Sequence, residues 1–106
     1  MGFTIPKDDN NVRLPIGQVS FAASSSVSVG TSSAVALAAD PNRVYLALVN
    51  DSDAPIYIEF GGAAAVNDGW RLNANGGGIV FDTIVPIDEI RAISTGSSKK
   101  LLILSA

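Results

Sequence analysis

Apolar and polar residues alternate with a period of two along most of this chain, and clusters of Gly, Pro, Asn, Asp and Ser cut the alternation at short intervals. That period puts successive side chains on opposite faces of an extended segment, which is the pattern of half-buried strands. Over residues 19–39, Val19 and Phe21 lead into Val27 and Val29, Gly30-Thr31-Ser32-Ser33 makes a turn, and Val35 and Leu37 follow. The Ala-rich run 34–39 also permits a helix, but its β-branched neighbours and its shortness favour a strand. Asp40-Pro41-Asn42 reads as a turn. Residues 43–50 are apolar on both faces, as expected of a central strand. Asp51-Ser52-Asp53-Ala54-Pro55 closes that run, and Ile56-Tyr57-Ile58-Glu59-Phe60 returns as a strand. The pair reads as a hairpin with a five-residue loop. Ile56, Ile58 and Phe60 are expected on one face, with Tyr57 and Glu59 on the other, and Tyr45 and Tyr57 as cross-strand neighbours.

After Gly61-Gly62, residues 63–68 read as a loop or one helical turn. Residues 69–72 form a short extended piece, and Gly76-Gly77-Gly78 a permissive turn. Residues 79–82, 90–94 and 101–105 read as strands. Residues 84–87 are extended, because Pro86 disfavours helix at Val85. Seven to nine short strands between turns predict an all-β fold, a single β-sandwich or jelly-roll-like domain over 19–106. Residues 1–18 read as an extended N-terminal arm. Pro6 and Pro15 each remove a backbone donor, and Lys7 to Asn11 are polar. Phe3, Ile5, Val12, Leu14 and Ile16 are nevertheless spaced by two. Such a segment is either a docking arm with one apolar edge or simply a tail or first strand.

Composition narrows the function classes. The 106 residues fit one domain. The apolar fraction is 47% against 16% charged, high enough to expect some apolar surface covered by partners. Many of the apolar residues are Ala and Val, which predicts a thin core. Net charge is −3 and no basic cluster exceeds Lys99–Lys100, which argues against nucleic acid as a partner. Cysteine is absent, so there is no disulfide framework. Residues 1–15 lack the apolar core of a signal peptide, and no run approaches a membrane span. Met1-Gly2 opens like a myristoylation signal, but Pro6 stands where that signal wants Ser or Thr.

Candidate chemistry is sparse. Histidine is absent, which removes the commonest general base, the commonest metal ligand and any Ser-His-Asp arrangement. Carboxylate pairs remain conceivable at Asp51, Asp53 and Glu59, around the expected hairpin, and at Asp88-Glu89. Solvated turn acids are the simpler account of all of them. Asn50-Asp51-Ser52-Asp53 looks like half of a calcium loop without the Gly and bidentate Glu at the required spacing. Gly76-Gly77-Gly78 lacks the Lys and Ser/Thr of a phosphate loop. Trp70 could stack on a sugar or anchor an interface, or else close one end of the sandwich, the reading preferred here. No catalytic residue, cofactor or metal site is assigned.

The stretch Arg43-Val44-Tyr45-Leu46-Ala47-Leu48-Val49-Asn50-Asp51-Ser52-Asp53-Ala54-Pro55-Ile56-Tyr57-Ile58 resembles a pattern common among small virion proteins of tailed bacteriophages. So do Gly69-Trp70-Arg71-Leu72-Asn73-Ala74-Asn75-Gly76-Gly77 and the closing strands from Ile90 and Leu101. The resemblance covers roughly residues 40–106. It implies a structural role, foremost as a head decoration (cement) protein that sits on the outer capsid surface, commonly as a trimer, with the major capsid protein or other virion proteins as partners. A tail, neck or fibre location is the alternative within a virion, and a small carbohydrate-binding module the alternative outside it. A chain only 7% aromatic is poorly supplied for sugar stacking, and a minimal hydrolase is disfavoured without His or Cys. The expected interface residues are Phe3, Ile5, Leu14 and Ile16 in the arm, with Val49 and Tyr57 on outward strand faces.

Overall fold

The computed structural model describes residues 23–106. It forms eight strands: β1 (Ala23–Val29), β2 (Ala34–Leu37), β3 (Leu46–Asn50), β4 (Ile56–Phe60), β5 (Trp70–Leu72), β6 (Gly78–Phe81), β7 (Ile90–Ser94) and β8 (Lys99–Ser105). They build two antiparallel four-stranded sheets, ordered β1-β8-β3-β6 and β2-β7-β4-β5. This is a jelly roll, the double-sheet architecture of two Greek keys. Among the described residues no helix is long and apolar enough to cross a membrane. The arm at 1–18, the 18/19 boundary and the strand start at 19–22 lie outside the described residues.

The core fills the space between the sheets. Leu46, Leu48, Ile56, Ile58, Leu72, Ile90, Leu101 and Ile103 are all buried there, each contributing on the order of 1.5–3 kcal/mol. The core is therefore built of Leu and Ile, not the thin Ala/Val core expected, because the Ala residues fall mostly in loops and on outward or edge positions. The alternation in 56–60 places its residues as read: Ile56 and Ile58 are in this core, with Phe60 packed against it, while Tyr57 points to the other side.

The hairpin reading of 43–60 is wrong. β3 pairs with β6 and β8, whereas β4 pairs with β5 and β7. The Asp51–Pro55 connection crosses between the sheets, so Tyr45 and Tyr57 are not cross-strand neighbours. Of the sequential pairs only β4 and β5 share a sheet side by side; every other connection passes from one sheet to the other. Residues 84–87 join no strand.

Two buried polar side chains hold the two ends. Asn50, fully buried, donates through Nδ2 to the carbonyls of Ala54 (2.8 Å) and Leu72 (3.0 Å), and its Oδ1 accepts from Ser52 Oγ (2.6 Å). Its backbone N–H donates to Gly77 O, and its carbonyl accepts from Gly76 N–H. The Asn-Asp-Ser-Asp and Asn-Ala-Asn-Gly-Gly stretches thus meet in one clasp. Gly77 is required in it, because a Cβ there would lie 2.4 Å from Asn73 O. At the opposite end Arg43, also buried, donates to the carbonyls of Pro86 (2.7 Å), Asp88 (3.2 Å) and Ala38 (2.7 Å). It ties the β2–β3 and β6–β7 connections together. Burial lowers the guanidinium pKa, and the nearby charges of Asp40 and Asp88 oppose that shift.

Candidate functional site

The carboxylates singled out in the sequence are not brought together. Asp51 and Asp53 sit in the β3–β4 connection, while Glu59 lies near the far end of β4 beside Gly69. Asp53 pairs with Lys99 (2.6 Å), and Glu89 with Arg91 (2.9 Å). The Lys99 hydrogen bond and charge hold the Asp53 carboxyl below its ordinary range. Among the described residues no group of three or more His, Cys, Asp or Glu is placed to hold a metal ion. The calcium-like Asn50–Asp53 stretch is the structural clasp described above.

Trp70 stands on the inward side of β5, opposite Ile58. Its ring meets Phe81 edge-on at 5.8 Å, and Phe81 meets Phe60 at 5.6 Å. The three rings bridge the two sheets along the β5–β6 edge, in keeping with Trp70 closing an end of the sandwich, although nearly half of Trp70 remains exposed.

The outward faces of the two sheets are built differently. On the β2-β7-β4-β5 sheet, the β4–β5 connection folds back over the strands. Ala64 packs on Tyr57 and Ile93. The Ala64 N–H donates to Ser33 Oγ (2.8 Å), which also accepts from Arg91 Nε (3.1 Å). Tyr57 Oη donates to Asn67 Oδ1 (3.0 Å), and the Arg71 guanidinium lies 5.8 Å from the Tyr57 ring centre. Gly69 makes the return possible. Its φ is +73° and a Cβ would lie 2.4 Å from Ile58 O, so no side chain fits where the connection joins β5.

On the β1-β8-β3-β6 sheet no described segment makes such a cover. Register places Ser24, Leu104, Ala47 and Val80 in one outward row, and Ser26, Leu102, Val49 and Gly78 in the next. Val80 is 54% exposed, Leu104 40% and Leu102 37%. A hollow of about 230 Å³ lies between Ser24 on β1, Ala47 and Val49 on β3, and Leu102 and Leu104 on β8. Lys100 is the one charged residue among the strand positions of this outward face.

Of the expected interface residues, Val49 stands on this face, half-buried. Tyr57 does point outward but is only 4% exposed, because the chain's own β4–β5 connection covers it; little of it is left for a neighbour. Phe3, Ile5, Leu14 and Ile16 lie outside the described residues. Leu102, Leu104 and Val80, exposed on the same face, were not among the expected residues. The signal was present in Leu101-Leu102-Ile103-Leu104: a strand apolar on both sides in a two-layer sandwich must show one apolar side outward.

No family model, curated protein or solved structure matches the chain.

Proposed function

We propose that this protein is a non-enzymatic structural component of a virion, a cement or decoration protein that binds the outer capsid surface and braces neighbouring capsomers. The observation that carries the reading is the apolar outward face of the β1-β8-β3-β6 sheet. Monomeric soluble domains seldom leave contiguous apolar strand positions uncovered unless they meet a partner. This face offers Leu, Val, Ala and Ser with a single Lys among its described strand positions, which suits a broad dry contact. The jelly roll itself is neutral on function, since the architecture serves capsid proteins, lectins and enzymes alike. The resemblance of residues 40–106 to small phage virion proteins supplies the virion.

The test is immunogold labelling of phage particles assembled with this protein. Gold over the capsid faces is the expected result. Label at the tail, neck or fibres moves the protein to another virion location, and unlabelled particles overturn the reading.

A further inference from the structure

We propose that Asn75 is a latent deamidation site, kept shut by the folded clasp at Asn50, and that its isoaspartyl product bars the clasp from closing again. The inference is independent of the assembly reading.

The first ground is the residue pair. Asn75-Gly76 is the one Asn-Gly dipeptide in the chain, and the turn calls for it. Asn75 has φ +62° and Gly76 φ +103°, two successive left-handed residues, which Asn followed by Gly adopts at least cost. The same pair is the one most open to ring closure, because glycine carries no side chain to hinder its nitrogen from reaching the preceding Cγ. In that reaction the Gly76 nitrogen attacks Asn75 Cγ. The N–Cγ bond forms, the Cγ–Nδ2 bond breaks, and ammonia leaves with the proton of the Gly76 amide. Water then opens the cyclic imide at either carbonyl. One opening yields an aspartyl residue at position 75. The other yields an isoaspartyl residue, whose backbone runs through Cβ and Cγ and is one carbon longer. Asn75 and Gly76 are both exposed, so water reaches the site.

The second ground is what the fold does to that nitrogen. The Gly76 N–H donates to Asn50 O (2.8 Å), and the Asn75 N–H donates to Ser52 O (2.7 Å). Both acceptors belong to the segment that the Asn50 side chain fixes to the carbonyls of Ala54 and Leu72. Beyond the pair, Gly77 O accepts from the Asn50 N–H (2.8 Å), and the Gly77 N–H donates to Asn73 O (3.1 Å). The peptide group that must turn to bring its nitrogen onto Cγ is thus held on both sides. Ring closure also consumes the Gly76 N–H and so takes a donor from the carbonyl of the fully buried Asn50. The closed clasp opposes the reaction at its first step, and the reaction proceeds from opened molecules. In the isoaspartyl product the N–H groups of residues 75 and 76 stand one carbon further apart along the chain, while their acceptors on Ser52 and Asn50 keep their spacing. The two bonds then no longer fit together.

The test incubates the full-length protein at mildly alkaline pH, in buffer and in concentrated urea. Conversion is followed by peptide mass spectrometry, with the isoaspartyl peptide resolved by its separate elution. In urea, Asn75 should be the first Asn of the chain to convert, and in buffer its rate should be lower by at least about tenfold. Ser52→Ala removes the hydroxyl that donates to Asn50 Oδ1 and should raise the rate in buffer about threefold while the domain stays folded. Equal rates in buffer and urea, or a Ser52→Ala chain that converts at the wild-type rate, overturn the protection by the clasp. Another Asn converting first in urea overturns the site. The chain converted in urea is then returned to buffer for amide exchange. Its isoaspartyl molecules should exchange the amides of residues 50 and 76 faster than unconverted molecules of the same sample. Equal protection in the two overturns the bar on closure.

Discussion

The two outward faces of this jelly roll start from similar material and end differently. On one, Tyr57 and Ile93 are apolar or aromatic residues at outward strand positions, and a local connection returns to bury them under Ala64. On the other, Leu102, Leu104, Val49 and Val80 occupy equivalent outward positions, and among the described residues nothing returns over them. Among the described residues, a returning connection covers one of the two outward faces. The β4–β5 connection, residues 61–69, joins two neighbours in one sheet and returns over that sheet's own face, whereas every other connection between described strands crosses from sheet to sheet. The proposed assembly role rests on that difference.

The largest expected effect removes the covered face's anchor. Tyr57→Ala deletes a ring that is 4% exposed together with its hydrogen bond to Asn67, and should lower unfolding stability by about 3–4 kcal/mol in urea titrations. A loss below about 1 kcal/mol would mean that the β4–β5 connection does not clamp this face. Ser33→Ala tests the pin. It leaves the Ala64 N–H and Arg91 Nε without their shared acceptor, for an expected loss of about 1–2 kcal/mol. Amide exchange should accelerate first over 61–69, since local opening precedes global unfolding. Uniform acceleration would show that the pin stabilises the whole domain instead of the cover.

The smallest effect belongs to neither face. The pairing with Lys99 depresses the Asp53 pKa in the folded state, so its contribution to stability is present above the unfolded carboxylate pKa and is lost as pH falls through the folded value. An NMR titration of the Asp53 carboxyl should show a midpoint below the ordinary aspartate value that rises on Lys99→Met. An unchanged midpoint in that variant would assign the shift to the loop backbone. Asp53 is fully exposed, so added salt should weaken the shift.

The strands were largely legible in the sequence. Residues 56–60 and 90–94 match β4 and β7, and the inward set of β4 follows from the period of two alone. Sheet membership was not legible, because a period of two tells which side chains share a face and not which strand lies alongside. Asp51–Pro55 has the residues of a hairpin turn. What turns it into a crossing is the Asn50 side chain, whose Nδ2 reaches Leu72 O on the other sheet, and nothing local announces that contact. Tyr57 shows the same limit. Its direction was readable, but its burial depends on a connection that reads only as Gly- and Ala-rich loop. The apolar face was half legible, since runs such as 46–49 and 101–104 show two apolar sides in advance of any knowledge of the fold.

The most direct test of the account is sedimentation velocity on the wild-type chain beside Leu102→Lys/Leu104→Lys and Val35→Lys at micromolar concentration. The double variant changes exposed side chains, so monomer stability should move by less than about 1 kcal/mol. The account predicts an oligomer, foremost a trimer, for the wild type and for Val35→Lys, and a monomer for the double variant. A double variant that keeps the wild-type mass, or a Val35→Lys variant that loses it, would contradict the assignment of the β1-β8-β3-β6 face as the assembly surface.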